Sequence, residues 1–220
     1  MKKYALIVAG GKGLRMGADL PKQFIELSGL PVLMHTLKAF RQVDDIHITL
    51  VLPEDHMEYW SSLCKSHQFS IPHQLAVGGD SRFQSVKNGL ASIPEDALVA
   101  IHDGVRPLVS TQVINEAFLI AEEKGNAIAV VPLKDSLRKQ ELEKNFAVNR
   151  ANYFLVQTPQ AFQSKIIQDA YTAALDDNFT DDASVLEAQN IEINLIAGDY
   201  RNIKITTPED LLIAEAFLRN

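Results

Sequence analysis

Apolar positions along the chain fall into short unbroken runs that alternate with helical stripes. Tyr4-Ala-Leu-Ile-Val8 is brief and is closed by glycines, the pattern of a strand buried on both faces. Residues 31–40 predict a helix with Val32, Leu33, Leu37 and Phe40 along one stripe. Residues 46–52 predict a second strand, closed by Pro53, and residues 54–66 a helix. A short strand follows at 74–77, ending at Gly78-Gly79, then a helix at 81–93, a strand at 97–101, a helix at 111–124 and an apolar strand at 126–133. Farther on, helices are predicted near 164–175 and 181–189 and strands at 191–196 and 203–206. Thr207-Pro-Glu-Asp210 opens a last helix, with Thr207 as N-cap, Pro208 as first helical residue and acids suited to the helix dipole.

Strand–helix alternation at this spacing implies an α/β fold with a parallel sheet and helices on both faces. Ligands of such sheets bind at the carboxyl ends of the strands. The loops Gly10-Gly11, Gly78-Gly79-Asp80 and His102-Asp103-Gly104 are therefore expected to line one crevice. The alternation breaks at 134–151, which is poor in large apolar residues and cannot fill a core. Two flanks, 135–140 and 146–150, enclose the polar turn 141–145 and predict a projecting β-hairpin. A hairpin alone is marginal in water, so this arm implies a partner, a homodimer gripping through it. Without internal repeat or linker, residues 1–220 read as one domain carrying that arm.

Composition narrows the classes. The 220 residues are 46% hydrophobic and 22% charged, which excludes disordered and fibrous types. A net charge of −7 argues against nucleic-acid partners. The single cysteine, Cys64, excludes an internal disulfide framework or a cysteine-rich zinc site and reads as a core or helix-face thiol. The apolar run at 4–9 is too short for a signal-peptide core, and no stretch approaches the roughly 20 apolar residues of a membrane helix. A cytoplasmic protein without membrane contact is expected.

The chemistry concentrates at strand ends. Ala9-Gly-Gly-Lys-Gly-Leu-Arg-Met-Gly17 follows the first strand, and successive glycines let backbone N–H groups cradle a phosphate. Its spacing departs from both the dinucleotide and the P-loop fingerprints. Residues 1–25 carry Lys2, Lys3, Lys12, Arg15 and Lys22 against Asp19 alone, so Arg15 and Lys22 can face a polyphosphate. In Ile101-His-Asp-Gly-Val-Arg-Pro107, Asp103 is placed to hold Mg²⁺ or another hard cation, although a turn residue paired to Arg106 explains the same letters. His102 reads as structural. Gly78-Gly-Asp-Ser-Arg82 with Ser85 suits a nucleobase edge, or else a glycine turn with Ser81 capping a helix. Lys204, between two isoleucines, must point to the opposite strand face, and Thr180 reads locally as a helix cap. There is neither a Ser-His-Asp set nor an H-E-x-x-H spacing.

The series A-G-G-x-G-x-R-M-G, P-K-Q-F, G-G-x-x-R, H-D-x-x-R-P, T-P-Q-A-F at 158–162, T-D-D-A-S at 180–184 and N-I-K-I-T-T-P-E-D at 202–210 resembles the 2-C-methyl-D-erythritol 4-phosphate cytidylyltransferases over essentially the whole chain. The resemblance implies a Rossmann-like nucleotidyltransferase fold, with a mostly parallel sheet, and a homodimer whose arm completes the partner's site. It also implies transfer of CMP from CTP to methylerythritol phosphate with release of pyrophosphate, assisted by Mg²⁺. By position it places Ala9, Gly10, Gly11 and Gly13 on the nucleotide, Gly79, Asp80, Ser85 and Gly104 around cytosine and ribose, and Asp103 near the metal. Arg15 and Lys22 match the pair that stabilises the transition state. Lys204, and Arg150 from the partner's arm, match residues that position the sugar phosphate, and Arg106, Ser136 and Thr180 fall near that substrate. Gly104-Val105, Ser136 and Val8 stand where relatives often carry Ala-Ala, Thr and Pro. The alternative substrate is ribitol 5-phosphate or another alditol phosphate. A non-catalytic nucleotide sensor is more distant, and an NAD-dependent oxidoreductase is disfavoured by the glycine spacing.

Overall fold

The computed structural model describes residues 1–10 and 20–219. In chain order the elements are β1 (Lys2–Val8), β2 (Glu26–Leu27), β3 (Leu30–Pro31), α1 (Val32–Arg41), β4 (Ile46–Leu52), α2 (Met57–Ser66), β5 (Gln74–Val77), α3 (Arg82–Leu90) and β6 (Ala97–Asp103). They continue with α4 (Thr111–Lys124), β7 (Asn126–Pro132), β8 (Leu137–Glu141), β9 (Lys144–Val148), β10 (Phe154–Gln163), α5 (Ser164–Ala173), α6 (Asp182–Glu187), β11 (Leu195–Ala197) and α7 (Pro208–Leu218). A seven-stranded sheet runs β11-β7-β10-β6-β1-β4-β5. β1 pairs in parallel with β4 and β6, β4 with β5, and β7 with β11. β10 lies antiparallel between β6 and β7.

Successive residues of β1 serve different cores, as the strand period of two requires. Ala5 and Ile7 join α1 and α4 through Leu33, Leu37, Phe40 and Phe118 on one face. Leu6 joins α3, α5 and α6 through Val86, Ile167, Tyr171 and Leu186 on the other. Both faces of the sheet are thus covered, and ligands are left the strand ends. Cys64 lies on α2 against the first core, and burial pushes its thiol pKa up.

Several expectations require correction. Strand β10 was not anticipated, because Gln157, Thr158, Pro159 and Gln160 interrupt its apolar run. Its register shifts between Val156 and Gln160, so Pro159, which lacks an N–H, sits where the ladder is broken. Residues 203–206 form no strand among the described residues. Ile205 N–H donates to Val105 O at 2.9 Å and the Ile205 side chain is buried against Leu27, Val32 and Ala214. Of the expected strand 191–196 only the end is regular, as β11. Ahead of it the Asn126 side chain accepts from Asn194 N (2.8 Å) and donates to Glu192 O (2.9 Å), replacing ladder bonds. Residues 54–56 form a 3₁₀ turn before α2.

The arm is the hairpin β8–β9, paired with itself alone among the described strands. Its turn is tighter than expected, with Leu142 at φ 54° and 96% exposed. Phe146 is exposed on the arm, and Phe154, Leu155 and Val156 are exposed at its root.

Candidate active site

Backbone hydrogen bonds lace the strand ends together. Ala9 N–H donates to Val51 O (3.0 Å), Gly78 N–H to Leu52 O (2.8 Å) and Gly104 N–H to Val8 O (2.8 Å). Buried Ser85, on α3, accepts from Gly79 N–H at 3.0 Å, and a Cβ added at Gly10 would stand 3.4 Å from the same hydroxyl. A Cβ at Gly104 would meet Ala9 Cβ at 2.9 Å and Val8 O at 3.2 Å, so glycine lets the turn after β6 close against β1. Ala9, Gly10, Gly79, Ser85 and Gly104 therefore share one end of the sheet, with Asp80 exposed beside them, as the topology required. Gly11, Gly13 and Arg15 lie outside the described residues.

Next to this end is a cleft of about 250 Å³, lined by Arg82, Asp103, Arg106, Thr158, Thr180 and Lys204 among others. Asp103 Oδ2 accepts from Arg106 Nε and lies beside Lys204 Nζ, each at 3.1 Å. Its backbone N–H donates to Thr158 Oγ1 at 3.1 Å, which locks the end of β6 to β10. Arg106 Nη1 donates to Asn202 O at 2.9 Å and so fixes the segment that carries Lys204. Burial alone would raise the Asp103 pKa, but Lys204, Arg106 and Arg82 together hold it well below the carboxylate range. Asp103 is thus an ionised carboxylate among cations. Lys204 faces the cleft as the alternation with Ile203 and Ile205 indicated, although no ladder among the described residues holds that segment.

His102 is structural. It is fully buried, packs edge-on against Phe40 at 4.8 Å and meets Arg106 O through Nε2 at 3.1 Å. A carbonyl only accepts, so Nε2 carries the proton, and burial pushes the pKa down to about 4.

Arg82 enters this cleft although no role was assigned to it from sequence; its signal was the last letter of G-G-x-x-R. Ser81 caps α3, accepting from Gln84 N–H at 3.1 Å, and Arg82 follows in the first turn. Its guanidinium grips the fully buried Asp182 through both oxygens (2.9 and 2.6 Å), and Tyr171 Oη donates to the same carboxylate at 2.6 Å. Burial works against the charged guanidinium, yet Asp182 holds the Arg82 pKa above its usual value. Buried Gln160 accepts from Asp182 and Ala183 N–H groups (3.0 and 2.9 Å) and donates to Asp181 (2.8 Å). Asp181, not Thr180, caps α6 by accepting from Ser184 N–H at 3.1 Å. Thr180 is left exposed at the cleft.

Lys22 is half-buried in a 3₁₀ turn spanning Lys22–Phe24. Ser136 and Arg150 are exposed on the arm and outside the cleft lining of their own chain; Arg150 Nη1 donates to Lys134 O instead. Among the described residues no group of three or more His, Cys, Asp or Glu side chains gathers to hold a metal. One ionised carboxylate in a polar cleft nevertheless fits a Mg²⁺ ion shared with substrate phosphates, the usual way this cation is held at phosphoryl sites.

Comparison with known proteins identifies the family. The family model for 2-C-methyl-D-erythritol 4-phosphate cytidylyltransferase matches residues 4–220. A relative of that name from Porphyromonas gingivalis is 51% identical over 218 residues, covering 99% of this chain and 98% of that protein. One from Azobacteroides pseudotrichonymphae is 52% identical over 219 residues, covering 99% of both chains. The crystal structure of 4-diphosphocytidyl-2C-methyl-D-erythritol synthase from Anaerococcus prevotii superposes with a TM-score of 0.85 at 30% identity, covering 99% of this chain and 96% of the other. The chain therefore belongs to the 2-C-methyl-D-erythritol 4-phosphate cytidylyltransferase family and is a nucleotidyltransferase.

Proposed function

We propose that this cleft transfers CMP from CTP to 2-C-methyl-D-erythritol 4-phosphate, giving 4-diphosphocytidyl-2C-methyl-D-erythritol and pyrophosphate for isoprenoid synthesis. The carrying observation is the cluster Asp103–Arg106–Lys204, with Arg82 beside it, next to the glycine-lined end of a mostly parallel sheet. A phosphate oxygen of the sugar alcohol attacks the α-phosphorus of CTP in line, and the bond to the β-phosphate oxygen breaks, releasing pyrophosphate. No covalent enzyme intermediate is needed. Catalysis is positioning plus cancellation of negative charge.

Gly10 and Gly11, with Gly13, cradle the triphosphate, and Ala9, bonded through both backbone atoms within the fold, anchors the start of that loop on the nucleotide side. Gly79, Asp80, Ser85 and Gly104 frame cytosine and ribose. Arg15 and Lys22 meet the charge that develops on the transferring phosphate. Lys204, Arg106 and Thr180 hold the phosphate of the acceptor. Mg²⁺, held by Asp103 and the substrate phosphates, supplies further charge neutralisation when bound.

The partner subunit's arm completes the site with Arg150 and Ser136. The self-paired hairpin, with Leu142 96% and Phe146 47% exposed, and the exposed apolar residues at its root support that arrangement. Phosphorus NMR tests the reaction: CTP, Mg²⁺ and methylerythritol phosphate are expected to give free pyrophosphate and a new coupled diphosphate pair. A triphosphate spectrum unchanged over hours of incubation would contradict the reading.

A further inference from the structure

We propose that Gln23 is a positioning residue that sets where Lys22 stands relative to the nucleotide. The inference rests on the reading of Lys22 as a cation acting on the transferring phosphate. Gln23 is 1% exposed, and its Nε2 donates to Ala9 O at 2.9 Å. Ala9 is the residue at which β1 gives way to the glycine loop, and its own N–H is held by Val51 O at 3.0 Å. Both polar backbone atoms of Ala9 are thus committed, one to the sheet and one to the Lys22 turn. Against Ala9 packs Gly104, whose N–H is bonded to Val8 O and whose carbonyl accepts from Thr36 Oγ1 at 3.0 Å. One side-chain amide therefore joins the Lys22 turn to the same strand ends that carry Asp103.

The other side of the turn is anchored by packing. Phe24 is buried and meets Tyr59 at 5.1 Å and His56 at 5.5 Å, edge to face, and stacks near Trp60 at 6.3 Å. Phe24 N–H closes the turn on Pro21 O at 2.9 Å. The aromatic anchor fixes the depth of the turn. The Gln23 amide adds its register along β1, because a hydrogen bond is directional where ring packing is not. A charge aimed at a reacting phosphate is sensitive to that register: a misplacement near 1 Å costs on the order of 10²-fold in rate.

Gln23→Met keeps size and removes the donor. Gln23→Leu likewise removes the donor without placing a titratable group in the buried position. Each is read for kcat, for KM with CTP, and for emission of Trp60, the single tryptophan of the chain. With emission and melting near wild type for at least one variant, kcat is expected to fall about 10- to 100-fold while KM moves less than about threefold. Either substitution in a Lys22→Ala background is expected to add less than about twofold, because the two residues act as one unit. A folded Gln23 variant with kcat within twofold of wild type, or losses that simply multiply with Lys22→Ala, would overturn the proposal. Normal kcat in Lys22→Ala itself would remove the reading of Lys22 and this inference with it.

Discussion

Replacing Asp103 by Asn separates a counter-ion from a metal ligand. The Asp103 side chain is 12% exposed, with Arg106 Nε and Lys204 Nζ each 3.1 Å from one oxygen. Breaking a buried ion pair costs about 3–5 kcal/mol. The Lys204 side chain is 42% exposed, which screens its share and brings the expected loss nearer 2–3 kcal/mol. For a chain of 220 residues that is a drop in Tm of roughly 5–10 °C. The bound acceptor phosphate supplies the missing negative charge beside Arg106 and Lys204, so saturating methylerythritol phosphate should shrink this deficit. Loss of a metal ligand should raise the Mg²⁺ concentration for half-maximal rate at least 10-fold, and kcat should fall about 10²–10³-fold. The assay is continuous pyrophosphate release under a Mg²⁺ titration, beside thermal melting with and without methylerythritol phosphate. Half-saturation by Mg²⁺ unchanged, with kcat within about twofold, would refute the metal role and leave Asp103 a counter-ion alone. The sign of the pH effect is fixed by the depressed folded pKa. The contribution of Asp103 to stability is present above about pH 4 and is lost as pH falls through the folded value. No titration of Asp103 should enter the rate profile between about pH 6 and 9.

Arg82→Met leaves Asp182 buried with Tyr171 as its remaining side-chain partner, and should cost about 3–5 kcal/mol in urea denaturation; a loss below about 1 kcal/mol would contradict the buried-pair account. His102, neutral and buried with its pKa pushed down to about 4, contributes stability that is present above about pH 6.5 and lost as pH falls toward 4. Between pH 7 and 5 the wild type should lose about 2 kcal/mol more than His102→Gln, and parallel curves would contradict this. Arg150→Glu should cut kcat/KM at least about 10²-fold, as should Lys204→Ala. Mixing the two inactive variants should restore part of the activity if each site takes Arg150 from the partner, whereas no recovery would contradict a shared site.

The central parallel strands were legible because burial on both faces leaves unbroken apolar runs, and 46–52 matches β4 to the residue; 74–77 matches β5 as well, although that edge strand is largely exposed and was marked by the glycines that close it. β10 was not, because its polar centre is satisfied internally: Gln160 spends its amide on α6, and Gln157 accepts from Asp199 N–H and donates to Asp199 O. Residues 203–206 alternate like a strand yet join no ladder among the described residues, although Ile205 N–H reaches Val105 O. The alternation correctly gave the face of Lys204 and wrongly gave a ladder. The family resemblance placed Asp103, Arg106 and Lys204 around the substrates, and in the structure Arg106 and Lys204 each lie 3.1 Å from Asp103 Oδ2. Arg82 and Gln23 were hidden for a common reason. Each acts through a partner remote in sequence, Asp182 and Ala9, and local pattern carries no record of such a bond.

The most direct test of the account is pyrophosphate release by the wild-type protein with CTP and Mg²⁺, offered methylerythritol phosphate and ribitol 5-phosphate in parallel reactions. Turnover with methylerythritol phosphate and background release with ribitol 5-phosphate is the expected result. Turnover with ribitol 5-phosphate alone would keep the chemistry of the cleft and contradict its substrate, and silence with both would contradict the enzyme.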